Sequence, residues 1–246
     1  MSKLKLFSLI SSAFIMLTVS GCAGNTPMVT KGNEFPKMYQ EPPKSLLVLP
    51  PMNFSSDAEA KDYYLTTIET PLAQMGYYVF PVEMVSDIMK QEGVYDTELL
   101  YNMPLDKFYE YFGADAVLFT RIVDWKVAYY VLNAFLTVTI ESEIKSSKTS
   151  EQLWTYRGSV QVDLSGGNGG GGGGLLGLLV QAIETAIKTA AADYVEYAHV
   201  ANARLLHSLP VGHYHPQFMK DQDNQVLDLT IPPENPVEEQ TVNESK

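Results

Sequence analysis

The chain has 246 residues, and its 17 Lys and Arg against 29 Asp and Glu give a formal net charge of −12. With 46% hydrophobic residues it can build a sizeable core, which excludes a chain disordered throughout and a disulfide-stapled miniprotein. Nucleic-acid binding is also excluded, because it needs clustered Lys and Arg, and basic residues crowd only at Lys3 and Lys5. The single cysteine, Cys22, cannot form an internal disulfide or, alone, a thiolate metal site.

The first 22 residues have the layout of a secretory signal. Lys3 and Lys5 precede an apolar stretch, residues 6–17, which is too short for a good membrane span, and no acidic residue interrupts it. Residues 19–22, Val-Ser-Gly-Cys, resemble the lipobox of bacterial lipoproteins, in which the cysteine sulfur receives a diacylglycerol. We therefore expect residues 1–22 to be a lipoprotein signal and Cys22 to be the acylated residue. The alternative is an ordinary cleaved signal with an incidental cysteine.

Ala23 bears on the destination of the acylated protein. Bacterial lipoproteins with a residue other than Asp after the acylated cysteine are generally sorted to the outer membrane, so the resemblance implies a lipid-anchored, periplasm-facing outer-membrane protein. Removing the signal leaves 15 basic side chains against 29 acidic ones, a net charge of −14. Two or three acyl chains hold a protein on a membrane without help from a polybasic patch.

Residues 23–44 are rich in Gly, Asn and Pro and show no sustained apolar periodicity. This composition predicts a flexible tether with a coil span of about 25 Å. Residues 45–209 are predicted to form a single α/β domain.

The first half of that domain alternates strands and helices. Residues 46–49 and 77–80 are short apolar runs typical of buried strands. Between them, apolar residues at three- and four-residue spacing predict a helix over residues 57–76, with Pro71 expected to kink or break it near Thr70. Two further helices are predicted at residues 82–91 and 104–112.

The second half begins with three predicted strands, residues 116–125, 136–144 and 153–164. The last two alternate apolar and polar residues, and residues 146–151 join them as a hairpin, so one face of this meander should be solvated. Glu141 and Glu143 share the polar face with threonines. The neighbouring threonines favour a solvated sheet face over an acid/base pair of the two glutamates.

Glycines crowd residues 166–174, just before a predicted helix over residues 175–209. A phosphate loop would need Lys and Ser/Thr at the helix start, where Leu175 and Leu176 stand instead, so a flexible connector is favoured. The helix start is apolar on all sides, which indicates deep burial, contact with lipid, or contact with a partner protein. The candidate partner contacts are Leu175, Leu176, Leu178 and Leu179.

Residues 210–246 contain several Pro and Glu residues and little apolar material, which predicts a disordered acidic tail. Truncation after Phe218 is accordingly expected to leave the melting temperature nearly unchanged. His213 and His215, with His207 nearby, lack an obvious further ligand, so we predict no metal site and no cofactor.

The predicted fold class is α/β (α+β): a mixed sheet from a β-α-β-α start, followed by an antiparallel meander, with a long C-terminal helix packed on one face. Sequence motifs at residues 49–53, 76–82, 112–116 and 174–180 resemble those of a family of bacterial outer-membrane lipoproteins of unknown function. Members of that family occur beside lipoproteins similar to the curli secretion channel, and the fold is similar to the amino-terminal domain of TolB. The resemblance implies no catalytic residues.

The functional expectation is a non-enzymatic lipoprotein that binds another envelope protein in assembly or secretion. The resemblance implies a curli-channel-like lipoprotein as the partner. A cell-wall synthase and a second copy of the chain are the other candidates. The alternative is a periplasmic small-ligand-binding protein or enzyme that uses the polar sheet face.

Overall fold

The computed structural model describes residues 28–129, 134–164 and 194–227. The elements of these ranges, in chain order, are β1 (Met28–Thr30), α1 (Lys31–Glu34), α2 (Pro36–Gln40), β2 (Ser45–Val48), β3 (Met52–Asn53), α3 (Ala60–Gln74), β4 (Tyr78–Val79), α4 (Val82–Gln91), α5 (Thr97–Tyr101), α6 (Leu105–Phe112), β5 (Ala116–Tyr129), β6 (Ala134–Ser146), β7 (Gln152–Asp163), α7 (Tyr194–Leu205) and β8 (Gln225–Leu227). A 3-10 turn, Leu206–Ser208, follows α7.

The main sheet is mixed. Its strand order in the described ranges is β4-β2-β5-β6-β7, with β3 also paired to β5. β2 runs parallel to both β4 and β5, whereas β5, β6 and β7 form an antiparallel meander. α7 packs on α3 and β7. The predicted fold class is therefore confirmed.

Two hydrophobic cores lie on opposite faces of the sheet. The larger core joins α3 and α7 to one face along the whole sheet, and the smaller core joins α4, α5 and α6 to the other face at β2 and β5. In β2, Leu46 and Val48 belong to the larger core and Leu47 and Leu49 to the smaller one, as expected of a strand buried on both faces. In the part of the chain that the structure describes, β6 and β7 are covered on one face only, so their side chains alternate between buried and solvated.

The helix α3 continues through Pro71 to Gln74, so of the two predicted outcomes near Thr70, a kink or a break, the break is wrong. Proline lacks the amide hydrogen that would bond the carbonyl four residues earlier, at Thr67. The α7 residues His199 and Asn202 lie beside Thr67, and the Asn202 amide donates to Thr67 Oγ1 at 2.7 Å. Burial lowers the pKa of His199 and favours its neutral form. The neighbouring helix α7 thus contributes a hydrogen bond to α3 one turn before Pro71.

The prediction of a flexible tether at residues 23–44 is wrong for residues 28–44. They form β1, α1 and α2, and the side chains of Phe35 and Met38 lie in the larger core. Pro36 is compatible with this helix because it occupies the first turn, where no intrahelical amide bond is needed. Residues 23–27 lie outside the described residues.

The prediction of a disordered tail at residues 210–246 is wrong for residues 210–227. β8 pairs antiparallel with β1, and Val226 is buried in the larger core. The Asp221 carboxylate is buried beside the Lys31 ammonium, 3.6 Å away. Truncation after Phe218 would remove both features, so the expectation of an unchanged melting temperature no longer holds. Residues 228–246 lie outside the described residues.

The segment after α7 returns to the end of α3 through a close contact between two glycines. Gly212 N donates to Met75 O at 2.8 Å, and Tyr214 N donates to Gly76 O at 2.9 Å. Gly76 has a φ of +86°, and a Cβ there would collide with the backbone of His215. Only glycine fits this crossing without a shift.

The glycine run, the predicted start of the last helix and Cys22 lie outside the described residues. This includes the candidate partner contacts Leu175, Leu176, Leu178 and Leu179. The described part of the predicted helix, α7, ends at Leu205 rather than at residue 209. Among the helices that the structure describes, none is both long and apolar enough to cross a membrane.

Candidate functional site

The polar face of the meander is the candidate site. On this side of the sheet, among the described elements, helices α4, α5 and α6 cover β2 and the start of β5 but leave β6 and β7 uncovered. The side chains that alternate away from the larger core here are Arg121, Thr137, Thr139, Glu141, Glu143, Thr155, Arg157 and Ser159, all of them half-buried or exposed. We call these eight residues the open face. The sequence predicted this solvated face correctly.

Charges on the open face are arranged in rows across the strands. Arg121 lies opposite Glu141, which in turn lies opposite Arg157, and Arg157 Nε is 3.3 Å from Glu141 Oε1. In the next row the Glu143 carboxylate is 2.9 Å from Lys145 Nζ. Each carboxylate therefore pairs with its own cation. Partly exposed pairs of this kind contribute about 0–1 kcal/mol each to stability.

A cavity of about 210 Å³ opens on this face where α5 meets β5. Tyr101 forms one wall, and its ring meets Phe119 edge to face with 5.1 Å between centroids. The Tyr101 hydroxyl accepts from Thr120 N at 2.8 Å and donates to Thr120 O at 2.5 Å. Burial raises the pKa of Tyr101 to about 12, so the phenol is neutral and serves as a fixed wall.

Sequence reasoning missed Tyr101 because it missed α5. The helix has only five residues, of which Leu100 alone is buried, so no helical periodicity develops. The available signal was the apolar run Leu99-Leu100-Tyr101 shortly after Asp96, a residue type that often precedes helices.

The chemistry that the open face offers is recognition. It presents two guanidinium groups, two carboxylates and several hydroxyls, and Thr139 Oγ1 donates to Ser159 Oγ at 3.0 Å. Glu141 and Glu143 are held by different cations and are not directed at a shared proton, which argues against an acid/base pair. A surface with both signs of charge and many hydroxyls suits a polar partner.

The histidines considered as metal ligands have other contacts. His215 Nδ1 accepts a hydrogen bond from Gln217 N at 3.1 Å. The His213 ring packs against Tyr214 and Phe218, with centroids 5.2 and 5.0 Å apart. Within the part of the chain that the structure describes, no three His, Cys, Asp or Glu side chains converge to hold a metal ion.

The Asp115 carboxylate forms hydrogen bonds that join elements of the fold. Its carboxylate accepts hydrogen bonds from Ser45 and from Lys44 N, and Lys148 Nζ lies 2.8 Å away. Burial alone would raise the pKa of Asp115, but Lys148 and the hydrogen bonds outweigh it and hold the pKa below its usual value. Asp115 thus joins the starts of β2 and β5 to the β6–β7 hairpin.

Comparison with known proteins places the chain in a lipoprotein family. The chain belongs to the family described as "Putative lipoprotein GNA1162-like", whose profile matches residues 34–214. The resemblance to a bacterial lipoprotein family is thereby confirmed. The match starts within the segment that was predicted to be a tether and ends at Tyr214, between His213 and His215.

One relative is the "Putative lipoprotein NMB1124/NMB1162" of Neisseria meningitidis serogroup B (strain ATCC BAA-335 / MC58). It is 29% identical over 187 residues, which cover 75% of this chain and 83% of the relative. The crystal structure of lipoprotein GNA1162 from Neisseria meningitidis is 31% identical, covers 60% of this chain and 100% of its own, and has a TM-score of 0.47. A PelC dodecamer from Paraburkholderia phytofirmans is 12% identical, covers 69% of this chain and 89% of its own, and has a TM-score of 0.41.

Proposed function

We propose that the protein is a non-enzymatic outer-membrane lipoprotein, anchored by acylated Cys22 and facing the periplasm, that binds another envelope protein during assembly or secretion. The observation that carries the proposal is the open face. Its strands β5, β6 and β7 have 14, 13 and 12 residues, which extends a polar surface well beyond the helices on that side. Membership of a lipoprotein family supports the anchor.

The charge of the protein suggests the kind of partner. The mature chain carries 15 basic and 29 acidic side chains, so its long-range field attracts a basic surface. Encounter with such a partner is faster at low salt, because the Debye length falls from about 30 Å at 0.01 M to about 3 Å at 1 M. The mixed charges of the open face then select the orientation of docking.

Cys22→Ala is expected to abolish labelling with fatty acid and to release the protein from membranes. The thioether at this sulfur is the proposed anchor, and two or three acyl chains account for stable attachment. Labelled fatty acid and fractionation of cells expressing either form measure the two effects. A Cys22→Ala protein that remains fully membrane-bound contradicts the anchor assignment.

Arg157→Glu is expected to weaken partner binding at least tenfold. The substitution reverses a charge in the middle of the open face, at a site more than two-thirds exposed, so it costs little stability. Lys90→Glu makes the same charge change on α4, which packs on β2 rather than on β6 or β7, and it is the matched control. A photoreactive residue placed at position 159, on the open face, measures the contact by crosslinking. The control carries the same residue at position 62 of α3, on the other side of the sheet.

The crosslink from Ser159 should weaken in Arg157→Glu, persist in Lys90→Glu and form more slowly at high salt. Equal crosslinking from Ser159 and Asp62, or equal binding by the two charge variants, would show that the open face is not the docking surface. The proposed contact through Leu175, Leu176, Leu178 and Leu179 is tested in the same assay. There Leu178→Asp should lose the partner or the homo-oligomer while the domain keeps its stability.

The cavity beside Tyr101 supports a second candidate function, the binding of a small polar ligand. It is lined by Arg121, Glu141 and Arg157 among other residues, which suits a ligand carrying both charge and hydroxyl groups. Native mass spectrometry of the purified protein distinguishes the two functions. A stoichiometric small molecule that is lost in Arg121→Ala favours the second.

A further inference from the structure

The short ribbon formed by β1 and β8 is the place where the chain enters and leaves the described domain. Met28 pairs with Leu227, Val29 with Val226 and Thr30 with Gln225. Residue 28 is the first described position after Cys22, and residue 227 is the last before the acidic segment 228–246. Both flanking segments therefore start side by side, at one end of one ribbon.

The two faces of this ribbon differ. Val29 and Val226 face inward and pack against the larger core. Met28 and Leu227 are cross-strand neighbours that point away from it, and they are 51% and 53% exposed. An exposed apolar pair thus stands at the ribbon end, which we define as Met28 and Leu227.

The chain between Cys22 and the ribbon end is short. Five residues, 23–27, separate Cys22 from Met28. Six backbone steps reach about 20 Å when fully extended and span about 13 Å as a flexible coil. A lipid anchor on Cys22 therefore holds the ribbon end within reach of the bilayer surface. The other described elements lie farther along the chain from the anchor.

We propose that the ribbon end rests against the lipid bilayer to which Cys22 is attached, with Met28 and Leu227 contacting its surface. The inference rests on the proposed acylation of Cys22. A short tether produces an effective concentration in the millimolar range, so two apolar side chains need only weak intrinsic affinity for the interface to remain there. The domain is then fixed in orientation close to the membrane.

Fluorescence quenching tests this contact in the full-length lipidated protein, reconstituted in vesicles of phosphatidylethanolamine and phosphatidylglycerol. Leu227→Cys introduces a unique reactive thiol, which is labelled with a fluorophore. The sulfur of acylated Cys22 is a thioether and does not react with the label. Tyr95→Cys provides the control position, because Tyr95 is 75% exposed in the loop between α4 and α5, which pack on the smaller core. Lipids carrying a nitroxide near the headgroup are the quencher.

The expected result is quenching at residue 227 at least threefold stronger than at residue 95. Insertion of ten Gly and Ser residues between Gly24 and Asn25 should bring the two values together, because the tether then no longer restricts the domain. Equal quenching in a protein that floats with the vesicles overturns the inference and leaves the anchor intact. A protein that does not float overturns both. Energy transfer between labels at residue 227 without vesicles would identify a second copy as the occupant and also overturn the inference.

Discussion

Asp221→Ala is expected to lower the free energy of unfolding by about 3–5 kcal/mol, the cost of leaving a buried charge without its partner. Lys31 and Asp221 have side chains only 5% and 3% exposed, and Lys31 Nζ also donates to Leu209 O at 2.8 Å. Burial lowers the pKa of Lys31, and the Asp221 carboxylate opposes that shift. Without the carboxylate, nothing at Asp221 offsets the unfavourable burial of the Lys31 ammonium, and the folded state is destabilised.

Urea denaturation of the chain without residues 1–22 measures this effect, and in thermal denaturation the melting temperature should fall by roughly 10 °C. Asp223→Ala removes an exposed carboxylate from the same segment and should change the stability by less than about 0.5 kcal/mol. The double variant Lys31→Met, Asp221→Ala should recover much of the loss, because no buried charge remains. Similar stabilities for Asp221→Ala and Asp223→Ala would show that the buried pair contributes little.

Gly76→Ala is expected to destabilise the domain by about 3–5 kcal/mol, and Gly93→Ala by only about 1–2 kcal/mol. Both glycines have left-handed backbones, with φ of +86° and +84°. A Cβ at Gly93 meets nothing within 4 Å, whereas at Gly76 it meets the His215 backbone. The left-handed strain is therefore common to both variants, and only Gly76→Ala adds a steric clash.

The loss of unfolding free energy in Gly76→Ala minus the loss in Gly93→Ala gives the cost of the steric clash alone. This clash pushes the segment after Pro210 away from the end of α3. Limited proteolysis gives an independent readout, since cleavage near His213 should accelerate in Gly76→Ala alone. Equal losses of stability for the two alanine variants would contradict the close crossing of Gly76 and Gly212.

The elements that the sequence predicted well are those with a strong local pattern. α4 spans Val82–Gln91, as predicted, and the buried positions Leu136, Val138, Ile140 and Ile144 of β6 follow the expected alternation. A solvated face and a covered face impose a period of two on the residues themselves. The polar open face, including Glu141 and Arg157, could be predicted for the same reason.

The ribbon could not be predicted because its pairing partners are far apart in sequence. β1 and β8 have three residues each, too few for a periodic pattern, and Pro and polar residues surround them. Lys31 and Asp221 look like solvated charges until the fold brings them together. The cavity was missed for a related reason, since its wall at Tyr101 belongs to a helix with a single buried residue.

The pairing of β1 with β8 also sets the time at which the nascent chain can finish folding. At about 5–20 residues per second, Asp221 is synthesised roughly 10–40 s after Lys31. Throughout that interval the Lys31 ammonium has no buried carboxylate and β1 has no partner strand. A domain closed by its most distant segments stays open until most of it has been made.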